Sequence, residues 1–203
     1  MTPLWLALAP WGVGPSPSAH AVDDGVVVSA RADAFHTGMV GARVGIQGTG
    51  DDRLTVAIDA VSGAGWALCP DCGSRGVGAT ARLNVVRHEA FRAAVWSHGT
   101  LTTGSPEALA GVAVEGGSER LRVDASTPLA ATTFVLTTLR VGPEVGLTAR
   151  WSSAQRTRLA VVGLEPGVAL QHRWRVAEAL ELEPTVRFGE EGLGLGLAVR
   201  GAL

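Results

Sequence analysis

Two cysteines with two residues between them, Cys69-Pro70-Asp71-Cys72, form the sharpest chemical motif in the sequence. A thiol pair at that spacing can be a redox centre, half of a zinc site, or a small disulfide. A structural zinc takes four ligands, and the chain has no second cysteine pair. A redox pair of this kind normally opens a helix in a βαβ unit, and no such pattern surrounds it. The spacing favours a disulfide that stiffens the loop-like stretch Ser62 to Gly76 in an oxidising compartment. Free or metal-binding thiols and a redox pair stay as alternatives, and the sequence assigns no metal site.

Ser97-His98 has the composition of a nucleophile and its base. Neighbours on a strand point to opposite faces, however, and cannot serve each other. His88-Glu89 fails for the same reason if its segment is extended. Gly45-Ile46-Gln47-Gly48-Thr49-Gly50 spaces its glycines as a nucleotide loop might, but no helix pattern follows it and no Lys-Ser/Thr closes it, so it reads as a turn. No catalytic residue and no cofactor is expected.

The other chemistry-bearing side chains are charges, and their positions follow a period of two, the spacing of a strand with two unlike faces. Val40 to Gln47 and Arg53 to Ala60 alternate about the segment Gly48 to Asp52 and read as a hairpin. Leu139, Val141, Pro143, Val145, Leu147, Ala149 and Trp151 share one parity, against Arg140, Gly142, Glu144, Gly146, Thr148 and Arg150. Leu164 to Trp174, Leu180 to Phe188 and Leu193 to Val199 repeat the separation. One face is apolar; the other is small or charged.

Two architectures make such strands. A soluble β-sandwich buries the apolar face between its sheets. A transmembrane barrel turns that face to lipid and the charged face to its lumen. Trp151, Trp174 and Phe188 sit at strand ends, as in the aromatic girdles at the two membrane interfaces, and this favours the barrel. The lumen charges are then Arg43, Arg53, Asp59, Arg82, Arg140, Glu144, Arg150, Glu165, Arg173, Glu181, Glu183, Arg187 and Arg200, whose mixed signs suit a filled, charge-paired interior. Leu147→Arg or Leu182→Arg would put charge into lipid, whereas Gly146→Ser would be tolerated.

The composition agrees. The chain has 203 residues, 46% hydrophobic but only 5% aromatic, with 27 Gly and a net charge of −2. It has no Lys and no dense Arg cluster, so the footprint of a nucleic-acid binder is missing. Residues 1–21 read as a cleaved export signal: Leu4 to Val13 is a short apolar run, Pro15 to Pro17 break it, and Ser18-Ala19-His20-Ala21 supplies the small residues of a cleavage site. That apolar run is too short to span a bilayer as a helix. The mature chain would begin at Val22.

From Val22 to Leu203 the sequence resembles the small outer-membrane β-barrel proteins of Gram-negative bacteria. The resemblance rests on pattern, including a last strand in which Leu195, Leu197, Val199 and Leu203 carry the alternation that the insertion machinery reads in such barrels. It implies a closed, antiparallel, up-and-down all-β barrel in the bacterial outer membrane, with the lipid bilayer and the barrel-insertion machinery as partners. Eleven candidate segments and the even strand number of single-chain barrels give eight to twelve strands, ten favoured. Two segments, His88–Trp96 and Ser105–Val114, could equally be helical. Thr157–Trp174 reads as a single long strand, and Thr132–Trp151 as one long run that can break at Gly142-Pro143. The expected role is that of a membrane scaffold, a display of surface loops, or a narrow channel. A secreted β-sandwich binding module is the alternative, with a lipid-modifying barrel enzyme behind it.

Overall fold

In a bilayer, backbone polar groups have no water to bind, so strands can span it only if the sheet closes on itself. The computed structural model describes residues 25–35, 39–50, 53–65, 74–88, 90–102, 106–131, 144–162, 167–189 and 192–202. They form twelve strands: β1 Gly25–Phe35, β2 Met39–Gly50, β3 Leu54–Gly65, β4 Ser74–His88, β5 Phe91–Thr102, β6 Pro106–Gly117, β7 Leu121–Ala131, β8 Glu144–Arg150, β9 Gln155–Val162, β10 Gly167–Ala177, β11 Leu180–Gly189 and β12 Gly192–Ala202. Each pairs antiparallel with its sequence neighbour, and β1 pairs with β12 to close the barrel.

The strand count is the upper of the expected values, not the favoured ten. The run Thr157–Trp174 is two strands, β9 and β10, paired from Gly167 opposite Val162 to Trp174 opposite Gln155. In the two segments with a helical alternative, Phe91–Trp96 belongs to β5 and Pro106–Val114 to β6. The glycine-spaced segment Gly45 to Gly50 is the end of β2 rather than a turn. Proline, which cannot donate to a ladder, sits where pairing is irregular. Pro128 in β7 adjoins a register shift between Ala110 and Gly111. Toward β10, the pairing of β11 passes from Leu182 to Thr185 and skips Pro184.

The two ends of the barrel differ. At the end where β1 begins and β12 stops, the connections are 51–53, 89–90, 118–120, 151–154 and 178–179, none longer than four residues. The longest connections, 66–73 and 132–143, are at the other end. Outer-membrane barrels show this asymmetry, with short periplasmic turns and longer outer loops.

Burial is inverted relative to a water-soluble protein. Among the described residues the buried apolar side chains are six alanines and Trp96, whereas Arg82, Glu115, Asp124, Arg158, Glu183 and Arg187 are all buried. Leu147, Leu159, Leu170, Val186 and Leu195 lie opposite one another across β8 to β12, all exposed on the outer face. An apolar belt of this extent far exceeds the scattered hydrophobic residues of a soluble surface. It is the lipid-facing surface of a transmembrane barrel.

Candidate functional site

The interior wall from β7 to β12 carries a set of ion pairs. At its centre is the buried Arg158 on β9, whose guanidinium reaches two carboxylates, Asp124 on β7 and Glu144 on β8. Asp124 and Arg158 are not on adjacent strands. Arg158 crosses β8 at Gly146, which is directly opposite both Asp124 and Ala160. A Cβ at Gly146 would lie 2.6 Å from Nη2 and 2.7 Å from Nε of Arg158. The bare backbone at that point is therefore the floor on which the arginine lies.

This overturns the expectation that Gly146→Ser is harmless. The serine side chain would lift a guanidinium that two carboxylates hold in place, so relaxation breaks ion pairs. Overpacking of this kind costs about 1–3 kcal/mol. Denaturant unfolding in vesicles should show that loss for Gly146→Ser, and a midpoint equal to wild type would refute the bridging geometry.

Toward the end that carries the termini, Glu183 on β11 receives Arg173 at 2.5 Å and Arg200 at 3.3 Å. Glu181 receives Arg175 at 3.3 Å and stands 3.8 Å from Arg173. On the neighbouring wall Arg122 meets Glu115 at 2.5 Å. Arg82 Nε donates to Asn84 Oδ1 at 3.1 Å, and both residues are buried. Arg187 is buried beside Ala169 and Gly194. Trp96 lies over Gly111, where an added Cβ would be 2.5 Å from its ring.

The other expected lumen charges are placed differently. Arg53 is exposed in the turn before β3, and Arg150 is exposed at the end of β8, where its Nε donates to the Ser152 carbonyl at 3.2 Å. Both stand at the rim because their strands begin and end there. Arg43 pairs in register with Arg31 and Val61, and Asp59 with Gly45 and Gly78, their side chains lying outside the described set. Arg140, Glu165, Cys69 and Cys72 lie outside the described residues, so the disulfide expectation falls there too.

Sequence reasoning missed Glu115, Arg122, Asp124, Arg156 and Arg158. Their signal was present: Leu121-Arg122-Val123-Asp124 and Arg156-Thr157-Arg158-Leu159 alternate like the strands that were read for charge.

On the outer face Trp151 and Trp174 lie near the end that carries the termini, and Phe188 lies at the opposite end; all three are exposed. Trp151 Nε1 donates to Thr157 Oγ1 at 2.8 Å, and Thr157 Oγ1 is 2.8 Å from His172 Nδ1. The His172 ring meets Trp174 edge-on at 5.6 Å. This hydroxyl and imidazole resemble a nucleophile and base only in composition, because no carboxylate orients the ring among the described residues. Ser97 faces outward while His98 bonds Thr80 at 2.7 Å from the inner face, so that neighbouring pair is indeed split.

No protein-family model and no curated protein sequence matches the chain. Solved structures do. The KdgM porin, determined in complex with disordered oligogalacturonate, is similar with a TM-score of 0.70 at 8% identity, over 87% of this chain and 99% of that one. The NanC porin is similar with a TM-score of 0.65 at 6% identity, over 87% and 98%. Outer membrane phospholipase A of Escherichia coli is similar with a TM-score of 0.53 at 7% identity, over 87% and 89%. The chain has the fold of a small outer-membrane β-barrel, the architecture its alternating strands predicted.

Proposed function

We propose that the chain is a bacterial outer-membrane protein, its first 21 residues removed on export, that forms a narrow water-filled channel lined by paired charges. One observation carries the reading: the twelve-stranded wall pairs an apolar exterior with an interior floored by small residues. Gly78, Ala94, Ala113, Ala160, Ala169, Gly194 and Ala198 are all buried on the inner face. An eight-stranded barrel is just wide enough for side chains to fill, and diameter grows with strand number. Twelve strands carrying Gly and Ala leave a bore that eight would not. The bilayer and the insertion machinery, reading β12, are the partners of this proposal.

A membrane scaffold or loop display would need no such bore. A soluble β-sandwich would bury the residues that this barrel exposes. The protein should fractionate with outer membranes and migrate heat-modifiably on gels. Reconstituted in planar bilayers, it should give discrete conductance steps. A barrel that inserts fully and passes no current would leave the scaffold reading in place of the channel.

A further inference from the structure

The geometry points to an oxyanion-binding site on the interior wall, near the end that carries the termini. Arg150, Arg156 and Arg173 stand directly opposite one another across β8, β9 and β10. Like charges at directly opposite positions repel, so each needs an answering group. Arg173 has Glu181 and Glu183, and Arg150 has the Ser152 carbonyl. Arg156 makes no hydrogen bond or ion pair among the described residues.

The next row into the barrel is Thr148, Arg158, Gln171 and Thr185. Thr148 and Thr185 are 4% and 2% exposed, and neither Oγ1 has a hydrogen-bond partner among the described residues. Thr148, Arg156 and Gln171 line one pocket together with Arg158, Arg173 and Glu183. A buried hydroxyl without a partner is unfavourable and rare in native proteins. Here the Thr148 hydroxyl, the Arg156 guanidinium, unanswered among the described residues, and the Gln171 carboxamide adjoin the same space. Glu183 is already shared by Arg173 and Arg200, and Arg158 by Asp124 and Glu144, so among the described residues Arg156 is the charge left over.

A carboxylate or phosphate group supplies what these donors lack. One oxygen accepts from Arg156, a second from Thr148 Oγ1, and a hydroxyl on the same solute can exchange hydrogen bonds with Gln171. A cation would face three arginines and one neutralised glutamate. The inference deepens the channel reading by naming the class of solute, and requires only that the interior be wet.

The test uses the full-length barrel purified from membranes in detergent, titrated calorimetrically with inorganic phosphate at constant ionic strength in chloride. A saturable one-site heat is expected. Arg156→Gln should weaken it about tenfold or more, the loss of one charge-assisted hydrogen bond, and the isosteric Thr148→Val should weaken it too. Arg175→Gln, which alters the ion pair to Glu181 nearer the rim, should leave it unchanged. Because Arg156 has only like-charged neighbours opposite it, Arg156→Gln should unfold no earlier than wild type, whereas a purely structural arginine would cost stability. Absence of a phosphate heat, or wild-type affinity in Arg156→Gln, overturns the site. Conductance without phosphate binding would remove the site and keep the channel; binding without conductance would do the reverse.

Discussion

Leu147→Arg is expected to lower barrel stability by about 2–4 kcal/mol, the cost of a cationic side chain on the lipid face at mid-bilayer. Leu147 is the β8 member of the outer row that continues through Leu159, Leu170, Val186 and Leu195, and it has apolar neighbours on both sides. Lipid there offers the guanidinium neither water nor a carboxylate. Leu182→Arg falls on the same face but opposite Trp174, two residues inside β11, at the level of the aromatic side chains. Depth matters, and near the interface the cost falls to roughly 0–1 kcal/mol. Denaturant unfolding in lipid vesicles should therefore rank wild type, Leu182→Arg and Leu147→Arg in that order. Gln171→Ser, on the inner face of β10, should stay close to wild type. A loss for Gln171→Ser as large as that for Leu147→Arg would overturn the assignment of the faces.

That assignment is also where the sequence was most legible. A strand with lipid on one side and a polar bore on the other needs strict alternation, and Val145, Leu147, Ala149 against Glu144, Gly146, Thr148 displays it without any knowledge of register. Strand number was harder because alternation does not mark where a strand ends. Even so, the run Thr157–Trp174 changes parity: Leu159 and Val161 face outward on odd positions, Val168 and Leu170 on even ones. A single regular strand cannot change parity, so the switch marks a connection, and Gly163 and Pro166-Gly167 lie where it must fall. The interior site was less legible for a different reason. Glu181, Glu183, Arg173 and Arg200 are on three adjacent strands, and their pairing follows from hairpin neighbours. Asp124 and Arg158 are 34 residues apart in sequence and meet only because β8 passes between them at a glycine. That contact depends on the register of three strands at once, which a one-dimensional pattern does not contain.

The same contact sets the largest effect expected from the interior. Arg158→Met removes the cation shared by Asp124 and Glu144 and leaves two carboxylates facing each other, one of them with a side chain only 1% exposed. Breaking a buried pair in this way costs about 3–5 kcal/mol, because the remaining charge is stranded out of water. Arg158→Lys keeps the charge but replaces a planar fork with a single ammonium, which cannot hold both carboxylates as the guanidinium does; its loss should be intermediate. The triple variant Arg158→Met, Asp124→Asn, Glu144→Gln removes every charge of the group and should recover most of the stability lost in the single variant, since replacing a whole buried ion cluster is often close to neutral. The series also measures how dry the wall is at this level. An ion pair screened by water is worth only about 0–1 kcal/mol, so a small loss for Arg158→Met would mean that the bore reaches the triad. A loss near the upper value would mean that Asp124, Arg158 and Glu144 belong to the wall itself, leaving Arg156 and its neighbours to face the passing solute.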